Sequence, residues 1–122
     1  MIAYVMILLA FFLHVIEDFH IQGILAQMKQ ASYWKEYGEN YKGDWIPALL
    51  WHGFEWSVFI SLPYILTNLD TLSWFALMLI VFNGLLHSFI DHLKCNEYRI
   101  NLMKDQCLHI AQILGFYILV LL

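Results

Sequence analysis

Four apolar runs of near-spanning length set the terms for this chain. They cover residues 3–26, 45–66, 72–94 and 105–122 of the 122, and a helix needs about 20 residues to cross a bilayer. Lipid offers no partner to a bare backbone N–H or C=O, so the runs are expected to be helices. A water-soluble domain this small has too little interior for such a chain: 61% of its residues are hydrophobic and only 13% are charged, against roughly 25% charged in ordinary soluble proteins. The expected fold is therefore all-α, an integral membrane four-helix bundle forming one transmembrane domain over residues 1–122. A short interfacial segment is expected between helices 1 and 2.

Local signals agree. Pro47 suits the first turn of the second helix, where its missing N–H costs nothing. Pro63 suits a kink or an end of that helix. The short turn around residues 67–71 makes helices 2 and 3 antiparallel neighbours. The N-terminus lacks the basic start of a secretory signal, so the first run reads as a retained span. Cys95 and Cys107 have no zinc-type spacing and read as reduced thiols.

Charge gives an orientation. Lys29, Lys35 and Lys42 follow the first run, and Lys94, Arg99 and Lys104 separate the third from the fourth. The positive-inside rule makes loops 27–44 and 95–104 cytoplasmic and sends both termini outward. The net charge of −4, with no basic cluster, argues against a nucleic-acid partner. Tyr33, Tyr37, Tyr41 and Trp45 recur every four residues beside Trp34. They suit an amphipathic stretch at the headgroups, a simple aromatic belt, or a lid over a site, with Gly38 and Gly43 breaking the stretch into pieces.

Three His/Asp pairs four residues apart, His14/Asp18, His87/Asp91 and Asp105/His109, each share a helix face. At a rise of about 1.5 Å per residue, these pairs and His52 all fall in the cytoplasmic half of their spans. Four helices of alternating direction thus bring polar residues to one depth, which argues for a shared site. Ionisable groups inside a membrane are costly and usually functional.

Imidazole and carboxylate suit a divalent metal, zinc first, with iron or manganese as alternatives. The candidate ligands are His14, Asp18, His52, His87, Asp91 and His109, enough for two metals or for one metal with orienting partners. Asp105 or Glu55 would serve as general base. Gln22 and Gln106 would position water or substrate, and Lys29 an anionic head group. Glu17 lies about 100° round the helix from Asp18, so both are not expected to point inward equally. Each piece also has a plainer reading: a packing histidine, a neutral helix clasp, or Asp105 as a helix cap.

The order His14-x3-Asp18-Phe19-x2-Gln22, His52, His87-x3-Asp91, Asp105-Gln106-x2-His109 resembles the prokaryotic and phage membrane-protein family catalogued as domain of unknown function 3307. Lys29 falls where that family tends to carry a lysine. The resemblance covers nearly the whole chain and implies a compact multi-span protein of the prokaryotic inner membrane, but no reaction. A remoter likeness is to metal-dependent membrane hydrolases, whose adjacent His-His pairing is missing here. The leading expectation is a membrane metal-binding protein, a metal-dependent hydrolase acting on an amphiphilic, lipid-like substrate at the cytoplasmic face. The alternatives are a metal-ion or proton transporter, and a structural or regulatory subunit whose polar cluster locks the helices. Membrane lipids and further copies of the chain are the expected partners.

Overall fold

The computed structural model describes residues 1–121. Helix α1 (Ile2–Ile16) continues without a break into a π-helical turn (Glu17–Ile21). Then come α2 (Leu25–Met28), 3₁₀ turns at Tyr33–Tyr37 and Glu39–Tyr41, α3 (Trp45–Thr67), a 3₁₀ turn at Leu69–Thr71, α4 (Trp74–Cys95) and α5 (Leu102–Leu121). Among the described residues the structure is all-helical, with five α-helices and no strand.

The boundaries have local causes. The first helix stops at residue 21 rather than 26, because Gly23 adopts φ +50°, which turns the chain out of the helix. Gly38, at φ 100°, separates the two 3₁₀ turns of the loop. Ser73 caps α4 by accepting from the Ala76 N–H, so that helix begins at Trp74. Asn101 accepts from the Lys104 N–H in the same way, and α5 begins three residues before Asp105. Pro63 neither ends nor interrupts α3, which runs on to Thr67. There the Thr67 hydroxyl bonds back to the Pro63 and Tyr64 carbonyls.

The four long helices pack in a ring: α3 most extensively on α4, α1 on α3 and α5, and α4 on α5. The α3–α4 contact is close because Gly53 faces Gly84 and Ser88. One end of the ring holds an apolar core that includes Met6, Ala10, Ile60, Ile80, Ile113 and Phe116. The other end holds the polar residues described below. The outer faces are strongly apolar, with Leu8, Phe12, Trp51, Phe82, Phe89 and Ile118 all exposed. Among the described residues two helical stretches, Ile2–Ile21 and Trp74–Cys95, are long and apolar enough to cross a membrane.

The loop before α3 is tied over the polar end. Asn96 donates from Nδ2 to the Lys29 carbonyl at 3.0 Å and accepts from the Ala31 N–H at 2.7 Å. Trp34 donates its indole N–H to the Met28 carbonyl and stacks with Tyr41.

Candidate metal centre

Each long helix delivers polar side chains to the same end of the ring. α1 and its π turn bring His14, Glu17 and Asp18; α3 brings His52; α4 brings His87 and Asp91; α5 brings Asp105 and His109. All eight are buried. The structure thus brings together all three His/Asp pairs and His52.

The π turn begins at an inward residue, Glu17, that its 100° step from Asp18 had placed off the face. Its i→i+5 bond, from the Gln22 N–H to the Glu17 carbonyl, widens the helix by one residue. Glu17, whose own N–H still bonds the Leu13 carbonyl, stands three residues after His14 and Asp18 stands four, so both face inward, at 0% and 5% exposure. The Gln22 side chain donates back to the Asp18 carbonyl.

The donor geometry is dense. His52 Nε2 lies 3.1 Å from His87 Nε2, 3.2 Å from Asp91 Oδ2 and 3.6 Å from Asp18 Oδ1. His109 Nε2 lies 3.4 Å from Asp91 Oδ1 and 3.3 Å from Asp105 Oδ1. Three overlapping sets offer donor atoms within 4.8 Å of one another: Asp18/His52/His87, His87/Asp91/His109 and Asp18/Asp105/His109. These buried groups could hold a metal ion, although they also pair with one another.

The outward atoms of these side chains are held while inward ones are bare. Asp18 Oδ2 accepts from Gln106 Nε2 at 2.9 Å, and Asp105 Oδ2 from Gln106 at 3.0 Å and Lys94 Nζ at 2.7 Å. Gln112 spends its NH₂ on the Asn83 carbonyl and Oδ1, so its Oε1 must accept from His109 Nδ1–H, at 3.1 Å. That bond fixes the tautomer and turns the Nε2 lone pair of a neutral His109 inward. On the inner side, Asp18 Oδ1, Asp91 Oδ1, Asp105 Oδ1 and His109 Nε2 are buried without a hydrogen-bond partner. Glu17 Oε1 sits 3.1 Å behind His52 Nδ1, but without hydrogen-bond alignment. His87 stacks on both Trp56 and His109, each at 4.1 Å between centroids.

Several residues take places other than those their spacing suggested. His14 faces the cluster with no free nitrogen: Nδ1 accepts from the Trp56 indole at 2.8 Å and Nε2 donates to Gln106 Oε1 at 3.0 Å. It orients Gln106 rather than offering a donor. Lys29 is buried, with Nζ 2.5 Å from Asp91 Oδ2 and 2.9 Å from Gln22 Oε1, and so is spent inside the protein rather than on a head group. Glu55, three residues after His52, is half-buried and lines an outer groove of about 550 Å³ with Pro47, Trp51 and Phe54. His20 is exposed, and His92 stacks on Trp45. Spacing did not single out Gln112, Asn83 or Trp56. Only Gln112, three residues after His109, had a usable signal.

Charge makes the cluster demanding. Four buried carboxylates, Glu17, Asp18, Asp91 and Asp105, face two ammonium groups, Lys29 and Lys94. Four minus two leaves two negative charges if the imidazoles are neutral. Burying such an excess is expensive unless protons or a cation balance it.

Fold and site together define an all-helical chain with a buried His/carboxylate cluster able to hold a metal. Neither family models, curated proteins nor solved structures provide a match to it.

Proposed function

We propose that the protein is a membrane-embedded metalloprotein. Its four long helices span the bilayer with both termini outside, and the cluster holds a divalent ion near the cytoplasmic face, with zinc the first candidate and iron or manganese next. One observation carries this reading: carboxylate oxygens and an imidazole nitrogen converge bare and buried, while their outer atoms are held by Gln106, Lys94 and Gln112. Buried polar atoms left without partners call for an ion or water, and outer hydrogen bonds of this kind orient metal ligands. A divalent ion would also offset the two excess negative charges. The apolar outer faces and the two candidate spans support a bilayer as solvent, and the polar end is the lysine-bearing end.

The activity such a centre would serve is metal-dependent hydrolysis of an amphiphilic substrate, the ion activating a bound water. A family likeness to domain of unknown function 3307 is part of the same proposal. Transport is less well supported, because Ser57 and Tyr117 in the apolar half spend their hydroxyls on the Ile80 and Ile60 carbonyls. A second reading, a structural clasp, draws on Lys29–Asp91 and Lys94–Asp105, which join elements without any ion.

Elemental analysis of the detergent-purified protein, after dialysis against zinc, iron and manganese salts, tests the proposal. Near-stoichiometric metal, lost in His87→Ala, is expected. A folded wild-type protein that retains none refutes the metal and leaves the clasp.

A further inference from the structure

Resting on the metal reading above, we infer that the cluster is a two-ion centre, a closed site and an open site bridged by the Asp91 carboxylate. The two oxygens of Asp91 face different donors. Oδ2 lies 3.2 Å from His52 Nε2 and 3.8 Å from His87 Nε2, whereas Oδ1 lies 3.4 Å from His109 Nε2. His52 Nε2 is also 3.1 Å from His87 Nε2 and 3.6 Å from Asp18 Oδ1. Around a zinc-sized ion with bonds of about 2.0–2.1 Å, neighbouring tetrahedral donors sit about 3.3–3.4 Å apart. His52 Nε2 stands 3.1 Å from His87 Nε2, 3.2 Å from Asp91 Oδ2 and 3.6 Å from Asp18 Oδ1, and His87 Nε2 stands 3.8 Å from Asp91 Oδ2, so three further protein donors surround that of His52, four in all.

The second set is shorter by one. His109 Nε2, Asp91 Oδ1 and Asp105 Oδ1 lie 3.3–3.4 Å apart where they face His109, and supply three donors. Three protein donors with a free position mark a reactive centre, and four mark a structural one. Lys29 does not block the bridge, since a carboxylate oxygen has two lone pairs and Nζ needs only one. The ions differ in what they do to the local charge. The first cancels the excess of two negative charges, and the second leaves an excess of two positive. The second ion therefore binds more weakly and draws hydroxide or another anion to the open position.

Cobalt(II) titration of the apo-protein in detergent, followed by visible absorption and by bound metal, reads the two sites separately. Four-coordinate cobalt absorbs strongly, and five- or six-coordinate cobalt weakly. Two bound equivalents are expected, a tight first with an intense band and a second at least tenfold weaker. His109→Gln should abolish the second and keep the first band, which also reports that the variant is folded. Saturation at one equivalent in the wild type, or an intense band lost in His109→Gln while helicity persists, overturns the two-ion centre and leaves a metalloprotein. Binding of no cobalt at all would instead remove the metalloprotein reading.

Discussion

A single methyl group at Gly53 tests whether the α3–α4 contact sets the donor geometry. A Cβ there would stand 2.0 Å from Ser88 Oγ and 2.4 Å from the Gly84 carbonyl oxygen. Ser88 can rotate away at the expense of its bond to the Leu49 carbonyl, but the Gly84 carbonyl is backbone and cannot. Restoring van der Waals contact needs α3 and α4 to separate by about 1 Å. Overpacking of this kind costs about 1–3 kcal/mol, partly offset by roughly 0.5–1 kcal/mol gained when alanine replaces a helical glycine. Gly53→Ala should thus lose up to about 2.5 kcal/mol, centred near ~1 kcal/mol. Its neighbour His52 should also move away from His87, so metal affinity falls with stability. Gly115→Ala is the control, because nothing lies within 4 Å of its added Cβ, and it should gain stability by roughly 0.5–1 kcal/mol. Denaturant unfolding in micelles, followed by circular dichroism, with metal titration alongside, measures both. A Gly53→Ala protein as stable as wild type, with unchanged metal affinity, would refute the argument that this close approach is rigid.

Two further substitutions separate orienting bonds from charge. Gln112→Leu removes the acceptor for His109 Nδ1–H and should weaken metal binding about 10- to 100-fold, as measured by competition with a chelator at unchanged helicity. Lys29→Met leaves Asp91 without its ammonium partner, so the metal-free protein should lose about 3–5 kcal/mol. Added zinc should then raise its unfolding midpoint more than it raises that of wild type.

The all-helical fold and the shared site were legible because they rest on periodicity. His14/Asp18, His87/Asp91 and Asp105/His109 keep one face of regular helix, and alternating helix direction brings those faces to one end. What was illegible depends on departures from regularity or on contacts distant in sequence. Glu17 was placed off the face by its 100° step from Asp18, although at three residues from His14 it flanks the same stripe. Lys29 was assigned to an anionic head group, because its burial depends on the loop folding back to Asp91, which lies 62 positions away. His14 has the right spacing for a ligand, yet Trp56 and Gln106 take both its nitrogens, and neither partner is near it in the chain. Glu55 was assigned to the face of His52 from an i,i+3 spacing, but that step carries it round to the outer groove.

The widened turn at Glu17–Ile21 makes the first helix a spliced rod. Met6, Ala10 and His14 recur every four residues along its buried stripe. The next position on that stripe is shared by two acids instead of one. A π turn amounts to one residue inserted into an α-helix, absorbed locally instead of being passed down the rod. Because it follows His14 and opens at Glu17, the insertion leaves the seat of α1 untouched and re-aims the exit of the chain toward Gln22 and Lys29. Sequence drift beyond Asp18 can redirect that exit without unseating the helix.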